Sequence, residues 1–152
     1  MNDRDRTATL APVRYEVVVP CHKARAFEIF TQRMAEWWPL DTLSVGMADS
    51  AGVEVDARQG GKVAERLRDG GEAVWGTLLV WEPPDRPVMT WHPGHGEDDA
   101  TEVEVGFSDT ADGARVALEH RGWERRPGGE AMRGAYAQGW QPVLAAFADL
   151  TT

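Results

Sequence analysis

One apolar stripe near the C-terminus constrains the fold of this chain more than any other feature. Its members recur three, four, seven and eight residues apart: Met132, Tyr136, Gly139, Trp140, Val143, Leu144, Phe147 and Leu150. This spacing places them on one face of an α-helix. The sequence therefore predicts a long amphipathic helix over about residues 129–150, and Pro142 inside it predicts a kink because proline removes a backbone hydrogen bond.

The middle of the chain consists of short segments in which apolar and polar residues alternate. The clearest are 101–107 and 115–120, and Asp112-Gly113 between them is typical of a hairpin turn. Similar segments occur at 13–19, 53–55, 62–67, 74–81 and 88–91. Their connections are too short for parallel crossovers. The pattern predicts a curved antiparallel sheet of about seven strands with one covered face.

Two short helices are predicted between the first strand and the rest of the sheet. The first covers about residues 22–31, and the second is a single turn through Trp37 and Trp38 that ends before Pro39. Strands followed by one long terminal helix are typical of a two-layer α+β domain. We therefore predict a disordered tail at residues 1–11 and a single domain at residues 12–152.

The charge of the chain restricts its partners. Its 152 residues carry a net charge of −9, which repels phosphate backbones and anionic lipids, so neither nucleic acid nor a membrane is expected as a partner. Cys21 is the single cysteine, and no apolar run has the length of a membrane span or a signal peptide. We expect a cytoplasmic protein, either a monomer or a homodimer.

Seven tryptophans are the most unusual part of the composition: Trp37, Trp38, Trp75, Trp81, Trp91, Trp123 and Trp140. Each one alone is readily explained by core packing. A core does not need so many, however, whereas ligand pockets are mostly apolar and aromatic. His120 shares a strand face with Val116 and Leu118 and is expected to point inward. It is either a structural histidine or a polar anchor for a ligand.

No other motif indicates chemistry. His92 and His95 lie in a Gly/Pro loop without a cysteine to complete a metal site. Cys21 and His22 are neighbours in sequence, which does not by itself place them in the geometry of a catalytic triad. Trp81 next to Pro83-Pro84 is interpreted as a packing residue. We expect no metal, no cofactor and no recognisable catalytic set.

Several local strings, in this order, resemble one family. The strings are Ala26-Phe27-Glu28-Ile29-Phe30, Glu36-Trp37-Trp38-Pro39-Leu40, Gly60-Gly61, Trp75-Gly76, Trp81-Glu82-Pro83-Pro84, Thr90-Trp91, Thr101-Glu102-Val103, Leu118-Glu119-His120-Arg121-Gly122-Trp123 and Gly139-Trp140. The chain resembles the Bet v 1-like (START-like, SRPBCC) superfamily, and within it the family related to the C-terminal domain of the activator of Hsp90 ATPase. Its Trp-Trp-Pro segment and final helix are also similar to those of the calicheamicin self-sacrifice resistance protein.

The resemblance implies a helix-grip fold with a cavity between the sheet and the long helix. It also implies binding of apolar molecules, which are diverse across the superfamily. One departure concerns the segment after Trp-Trp-Pro, where similar sequences carry a histidine and this chain has Leu43 before Ser44. The cavity is expected to be more apolar there.

These observations lead to a hypothesis of ligand binding rather than catalysis. The ligand is a hydrophobic, aromatic small molecule, held for sequestration or resistance. The predicted ligand-binding residues are Trp37, Trp38, Trp75, Trp91, His120, Trp123, Tyr136 and Trp140. Two alternatives stay open: an enzyme of the cyclase or hydrolase type with His120 as general acid or base, and a chaperone-associated interaction domain.

Overall fold

The computed structural model of the chain describes residues 10–152 as a seven-stranded antiparallel sheet with three α-helices. The strands are β1 (Val13–Val19), β2 (Ser50–Val55), β3 (Lys62–Leu67), β4 (Glu72–Glu82), β5 (Arg86–Trp91), β6 (Thr101–Asp109) and β7 (Ala114–Arg121). The helices are α1 (Lys23–Gln32), α2 (Met34–Trp37) and α3 (Gly129–Leu150). The predicted α+β helix-grip architecture is confirmed.

The strands lie side by side in the order β1-β7-β6-β5-β4-β3-β2. Strand β1 therefore pairs with β7, beginning at Val13 opposite His120, while β2 forms the other edge. Because β1 and β2 lie at opposite edges, α1 and α2 carry the chain across the sheet between them. The hairpin predicted around Asp112-Gly113 is confirmed, since Asp109 pairs with Ala114 across that turn.

One face of the sheet is buried beneath α3. On β6 and β7 the inward side chains alternate with outward ones, and Val103, Val105, Val116 and Leu118 are all buried. Four side chains of α3 are buried against the sheet and the short helices: Trp140, Val143, Leu144 and Phe147. Helix α3 continues through the exposed Pro142 to Leu150. The apolar stripe therefore covers the sheet, as its period predicts.

Phenylalanine rings fill the part of the core next to α1. Phe30 contacts Trp37 at a ring-centroid distance of 5.0 Å and Phe147 at 5.2 Å. Phe27 lies 5.0 Å from Trp81 and 5.3 Å from Phe107. These interlocking rings leave the remaining tryptophans to occupy the opposite part of the interior.

The predicted tail at residues 1–11 falls mostly outside the described residues, which begin at Leu10. Leu10 is half-buried and packs against the core. The carbonyl of Ala11 accepts a hydrogen bond from the guanidinium of Arg133 on α3. These two residues thus join the strand layer to the long helix.

Candidate functional site

A cavity of about 490 Å³ lies between α3, the strands β4 and β5, and the loop that follows α2. Its lining residues are Trp38, Thr42, Leu43, Ser44, Val45, Trp75, Trp91, Pro93, Gly94, Met132, Ala135, Tyr136, Gly139, Trp140 and Val143. None of these described residues carries a charge. The volume and the apolar, aromatic lining are those of small-molecule sites.

Four indole rings form the wall of this cavity. Trp38 is central, with its ring centroid 5.2 Å from that of Trp75 and 5.8 Å from those of both Trp91 and Trp140. Trp91 is also 5.7 Å from Trp75 and 5.6 Å from Trp140. All of these pairs are tilted or edge-on, the arrangements that aromatic quadrupoles favour. The rings therefore hold one another in place.

Each of these four indoles donates its N–H to a partner within the protein. The acceptors are the carbonyl oxygen of Leu43 for Trp38 (2.7 Å), Glu65 Oε1 for Trp75 (3.0 Å), Tyr136 Oη for Trp91 (3.1 Å) and His120 Nδ1 for Trp140 (3.0 Å). A buried indole needs such a partner. Because the N–H groups are already bonded, these residues offer a ligand their ring carbons.

Glu65 is a fully buried carboxylate behind the wall. Besides the Trp75 N–H, it accepts the backbone N–H groups of Val45 (2.8 Å) and Gly46 (2.9 Å). Burial by itself raises the pKa of Glu65, but these N–H groups outweigh it and hold the pKa below its usual value. The ionised carboxylate thereby ties the loop at residues 42–46 to β3. Sequence reasoning missed Glu65, although its alternation with the buried Val63 is a readable signal.

His120 is fully buried and both of its ring nitrogens are hydrogen-bonded. An indole N–H only donates, so Nδ1 accepts from Trp140, and Nε2 carries the proton and lies 2.6 Å from Thr101 Oγ1. Thr101 Oγ1 in turn donates to the Trp91 carbonyl at 3.2 Å. Burial, with a smaller effect of the Arg126 charge, lowers the pKa of His120 to about 3.

This neutral imidazole joins α3 to β5 and β6. Its nitrogens have no lone pair or proton left over for a ligand, because one accepts from Trp140 and the other donates to Thr101. This geometry gives no support to the alternative in which His120 acts as general acid or base, because such a group needs a free nitrogen within hydrogen-bond reach of the substrate.

Five of the eight predicted site residues line the cavity: Trp38, Trp75, Trp91, Tyr136 and Trp140. The other three lie outside the lining. Trp37 packs among the phenylalanines, with its N–H donated to the Ile29 carbonyl at 2.9 Å. Trp123 is fully buried and donates its N–H to the His120 carbonyl at 3.1 Å. Trp37 contacts the wall residue Trp38 at a ring-centroid distance of 5.6 Å, and Trp123 packs against His120 and Tyr136.

The loop after α2 and the small residues of α3 complete the cavity, and sequence reasoning did not name them as lining. Leu43 and Val45 contribute exposed apolar side chains at the rim. Ala135 and Gly139, one helical turn apart on α3, leave the space between the helix and the loop open. Leu43 lies in the lining where similar sequences are expected to carry a histidine, so this part of the cavity is apolar.

Residues 20–152 match the family model described as activator of Hsp90 ATPase homolog 1-like protein. The chain belongs to this AHSA1-like family. The resemblance predicted from the local strings is thus confirmed over nearly the whole chain. No curated protein matches this AHSA1-like chain in sequence.

Several solved structures are similar to this AHSA1-like protein. The anthrahydroquino-γ-pyrone synthase Txn09, complexed with SUM, is 35% identical with a TM-score of 0.65, and the match covers 91% of this chain and 96% of that one. CalU16 from Micromonospora echinospora is 21% identical (TM-score 0.62; coverage 90% and 71%). The Aha1 dimer from Colwellia psychrerythraea is 11% identical (TM-score 0.69; coverage 93% and 96%). The last two show only a common fold.

The described residues of this AHSA1-like domain include neither a metal-binding cluster nor a membrane-spanning helix. Within residues 10–152 there is no group of three or more His, Cys, Asp or Glu side chains placed to hold a metal ion. In the Gly/Pro loop that holds His92 and His95, His92 Nδ1 donates a hydrogen bond to the carbonyl of His95 at 3.0 Å. None of the helices in this part of the chain has the length and apolarity needed to cross a membrane.

Proposed function

We propose that this AHSA1-like protein binds a hydrophobic, aromatic small molecule in the cavity between α3 and the sheet. The observation that carries the proposal is the uncharged cavity of about 490 Å³ with four indole rings in its wall. Aromatic rings stack offset or edge-on against such a wall, and each ring adds about 0.5–1.5 kcal/mol beyond the area that it buries. The contact residues are Trp38, Trp75, Trp91, Tyr136 and Trp140.

The name of one relative supports a polycyclic ligand. Txn09, 35% identical over 91% of this chain, is an anthrahydroquino-γ-pyrone synthase, and an anthrahydroquinone is a fused three-ring aromatic. A molecule of that class fits the scale of this cavity. Its capture would withdraw an apolar compound from water, which is the physical basis for sequestration or resistance.

Two glycines of α3 provide a matched test. A Cβ added at Gly139 or at Gly134 meets no heavy atom within 4 Å, so a side chain can start from either position without a clash at its first carbon. Only Gly139 lines the cavity, whereas Gly134 is exposed. Leucine also favours a helix over glycine by about 0.8 kcal/mol. Gly139→Leu is expected to fill the cavity without loss of stability, and Gly134→Leu is its control.

The measurement is the quenching or shift of tryptophan fluorescence on titration with a library of neutral polycyclic aromatics. The wild type and Gly134→Leu are expected to bind at least one member, and Gly139→Leu is expected to weaken that binding tenfold or more because its side chain occupies the ligand volume. Absence of any response across the library, or equal binding by Gly139→Leu, contradicts the proposal.

A second candidate function is cyclisation of an aromatic polyketide in the same cavity. The 35% identity to a synthase favours it. Both nitrogens of His120 are hydrogen-bonded within the protein. In this candidate function the Tyr136 hydroxyl is therefore the group that moves or shares a proton. The direct assay offers the protein an anthrahydroquinone whose side chain closes to a γ-pyrone. A cyclised product formed no faster than in buffer excludes this candidate for that substrate and leaves binding.

A further inference from the structure

The side chains that line the cavity include few polar hydrogens, and nearly all of them are bonded. The four indole N–H groups have protein acceptors, as described above. Ser44 Oγ donates to the Leu40 carbonyl at 2.6 Å and accepts the Met47 N–H at 2.8 Å. Thr42 is exposed at the rim. Among the described side chains that line the cavity away from its rim, one keeps a polar hydrogen without a protein acceptor.

That side chain is Tyr136. Its Oη accepts the N–H of Trp91 at 3.1 Å, which uses one lone pair of the phenol and leaves its own proton free. Among residues 10–152 no acceptor for this proton is present. Burial raises the pKa of Tyr136, so the phenol keeps its proton at neutral pH. Tyr136 is thus a hydrogen-bond donor without an acceptor at the cavity surface.

The position of this hydroxyl is set by its neighbours. The Tyr136 ring lies edge-on to His120 at 4.7 Å and is 5.6 Å from Trp123. The bond accepted from Trp91 polarises the phenol and strengthens it as a donor, because hydrogen bonds in a chain reinforce one another. The donor is therefore oriented before any ligand arrives.

The charge around the cavity decides which acceptor suits the donor. Within residues 10–152 no cationic side chain lines the cavity, and the chain carries a net charge of −9. A carboxylate or phosphate would lose its hydration without gaining a counter-ion, which disfavours its binding. A neutral carbonyl oxygen needs only one donor. The cavity accordingly matches an aromatic ketone, quinone or pyrone better than an aromatic acid.

We propose that the Tyr136 hydroxyl donates a hydrogen bond to a neutral carbonyl oxygen of the ligand and thereby selects aromatic carbonyl compounds over aromatic hydrocarbons. This inference rests on the proposed binding function and adds the ligand class. Tyr136 is the specificity-determining residue, and the indole wall supplies most of the affinity.

The test compares two neutral probes of nearly equal shape, 9-fluorenone and fluorene, which differ by a carbonyl in place of a methylene. A net hydrogen bond corresponds to roughly a 2- to 10-fold difference in affinity. The wild type is expected to bind fluorenone more tightly than fluorene by that factor. Tyr136→Phe is expected to remove the preference while it still binds fluorene.

The chain offers a matched control, because it has only two tyrosines. Tyr15 does not line the cavity, and its hydroxyl donates to the Ala137 carbonyl instead. Tyr15→Phe is expected to keep the preference for fluorenone. An infrared spectrum of bound fluorenone gives a second readout: the carbonyl stretch lies at lower wavenumber in the wild type and in Tyr15→Phe than in Tyr136→Phe.

The outcomes separate this inference from the proposed function. Equal affinity of the wild type for the two probes, or a preference and a carbonyl shift that persist in Tyr136→Phe, overturns the role of Tyr136 and leaves aromatic binding intact. Failure of both probes and of the wider aromatic library overturns both proposals together.

Discussion

A buried imidazole that accepts one hydrogen bond and donates another is held in its neutral form, and His120 is in this position between Trp140 and Thr101. Protonation would place the second proton of the ring on Nδ1, the nitrogen that already accepts the Trp140 N–H. Burial, with a smaller effect of the Arg126 charge, lowers the pKa of His120 to about 3. At the residue scale, His120 therefore couples the stability of the wall to pH without contacting the cavity.

We predict an acid-side loss of stability that depends on His120. The pKa of His120 is about 3 in the fold and 6.5 in the unfolded chain. Between these two pH values the unfolded state binds a proton that the folded state does not bind. The contribution of neutral His120 to the free energy of unfolding is thus fully present above pH 6.5, and it is lost progressively as the pH drops toward 3. Linkage gives a loss of about 2–3 kcal/mol between pH 7 and 4.5.

Urea unfolding at a series of pH values measures this effect. His120→Gln carries no titrating ring, so its free energy of unfolding should fall less steeply than that of the wild type over this interval. His95→Gln, at an exposed histidine, should keep the wild-type slope. Equal slopes for His120→Gln and the wild type would contradict the prediction.

At the scale of elements, close approach of β4 and β5 places two of the wall tryptophans. Gly76 lies directly after Trp75 on β4, and a Cβ built there falls 1.7 Å from the carbonyl oxygen of Thr90 on β5. Thr90 Oγ1 also accepts the Thr77 N–H at 2.8 Å. Only glycine allows this approach, which brings Trp75 and Trp91 into contact.

Gly76→Ala is expected to destabilise the fold by at least about 2–3 kcal/mol, because a methyl group in that space forces the two strands apart. Gly106→Ala on β6 is the control: its Cβ meets only the Ala117 carbonyl oxygen, at an ordinary 4.0 Å. That variant is expected to be neutral or up to about 1 kcal/mol more stable, since glycine weakens a strand. Urea midpoints compare the two, and similar midpoints would contradict the strand-contact argument.

At the scale of the whole molecule, an anionic protein encloses an uncharged aromatic cavity. A ligand that binds only the folded state stabilises it by about 2.7 kcal/mol at a concentration of 100 times its dissociation constant. For a domain of this size that corresponds to a rise in Tm of roughly 5–10 °C. Neutral aromatic ligands should produce this rise, and anionic ones should not.

The prediction is checked by thermal unfolding with 9-fluorenone and with 9-fluorenone-2-carboxylate at equal concentration. Fluorenone is expected to raise Tm of the wild type. The carboxylate is expected to have little effect, because the lining residues of the described part of the chain include no cation to pair with it. Gly139→Leu should show no rise with either. A rise in Tm from the carboxylate as large as that from fluorenone would contradict the charge argument.

Local periodicity explains how much of this fold was predictable from sequence. The apolar stripe of α3 and the alternation on β6 and β7 are properties of neighbouring residues, so helix, strands and the inward side chain of His120 follow from them directly. The cavity-facing pair Tyr136 and Trp140 follows in the same way, because residues four apart share a helix face.

Tertiary structure decides which tryptophans line the cavity and which pack in the core. Trp37 and Trp38 are adjacent, yet Trp37 packs on Phe30 and Trp38 lines the cavity. The physical reason is that α2 ends at Trp37 and Trp38 takes an extended backbone conformation (φ −66°, ψ 132°), so the two side chains leave the chain in different directions.

The sequence by itself determined the α+β class, the family and an aromatic interior, since each of these is recorded in local patterns and composition. Only the tertiary structure decided which groups are left free for a ligand. Glu65 reaches the loop about 20 residues before it, and Trp140 reaches His120 20 residues before it. Hydrogen bonds across such separations exist only after folding. Among the described residues they occupy both nitrogens of His120, while the hydroxyl of Tyr136, a lining residue, has no acceptor for its proton.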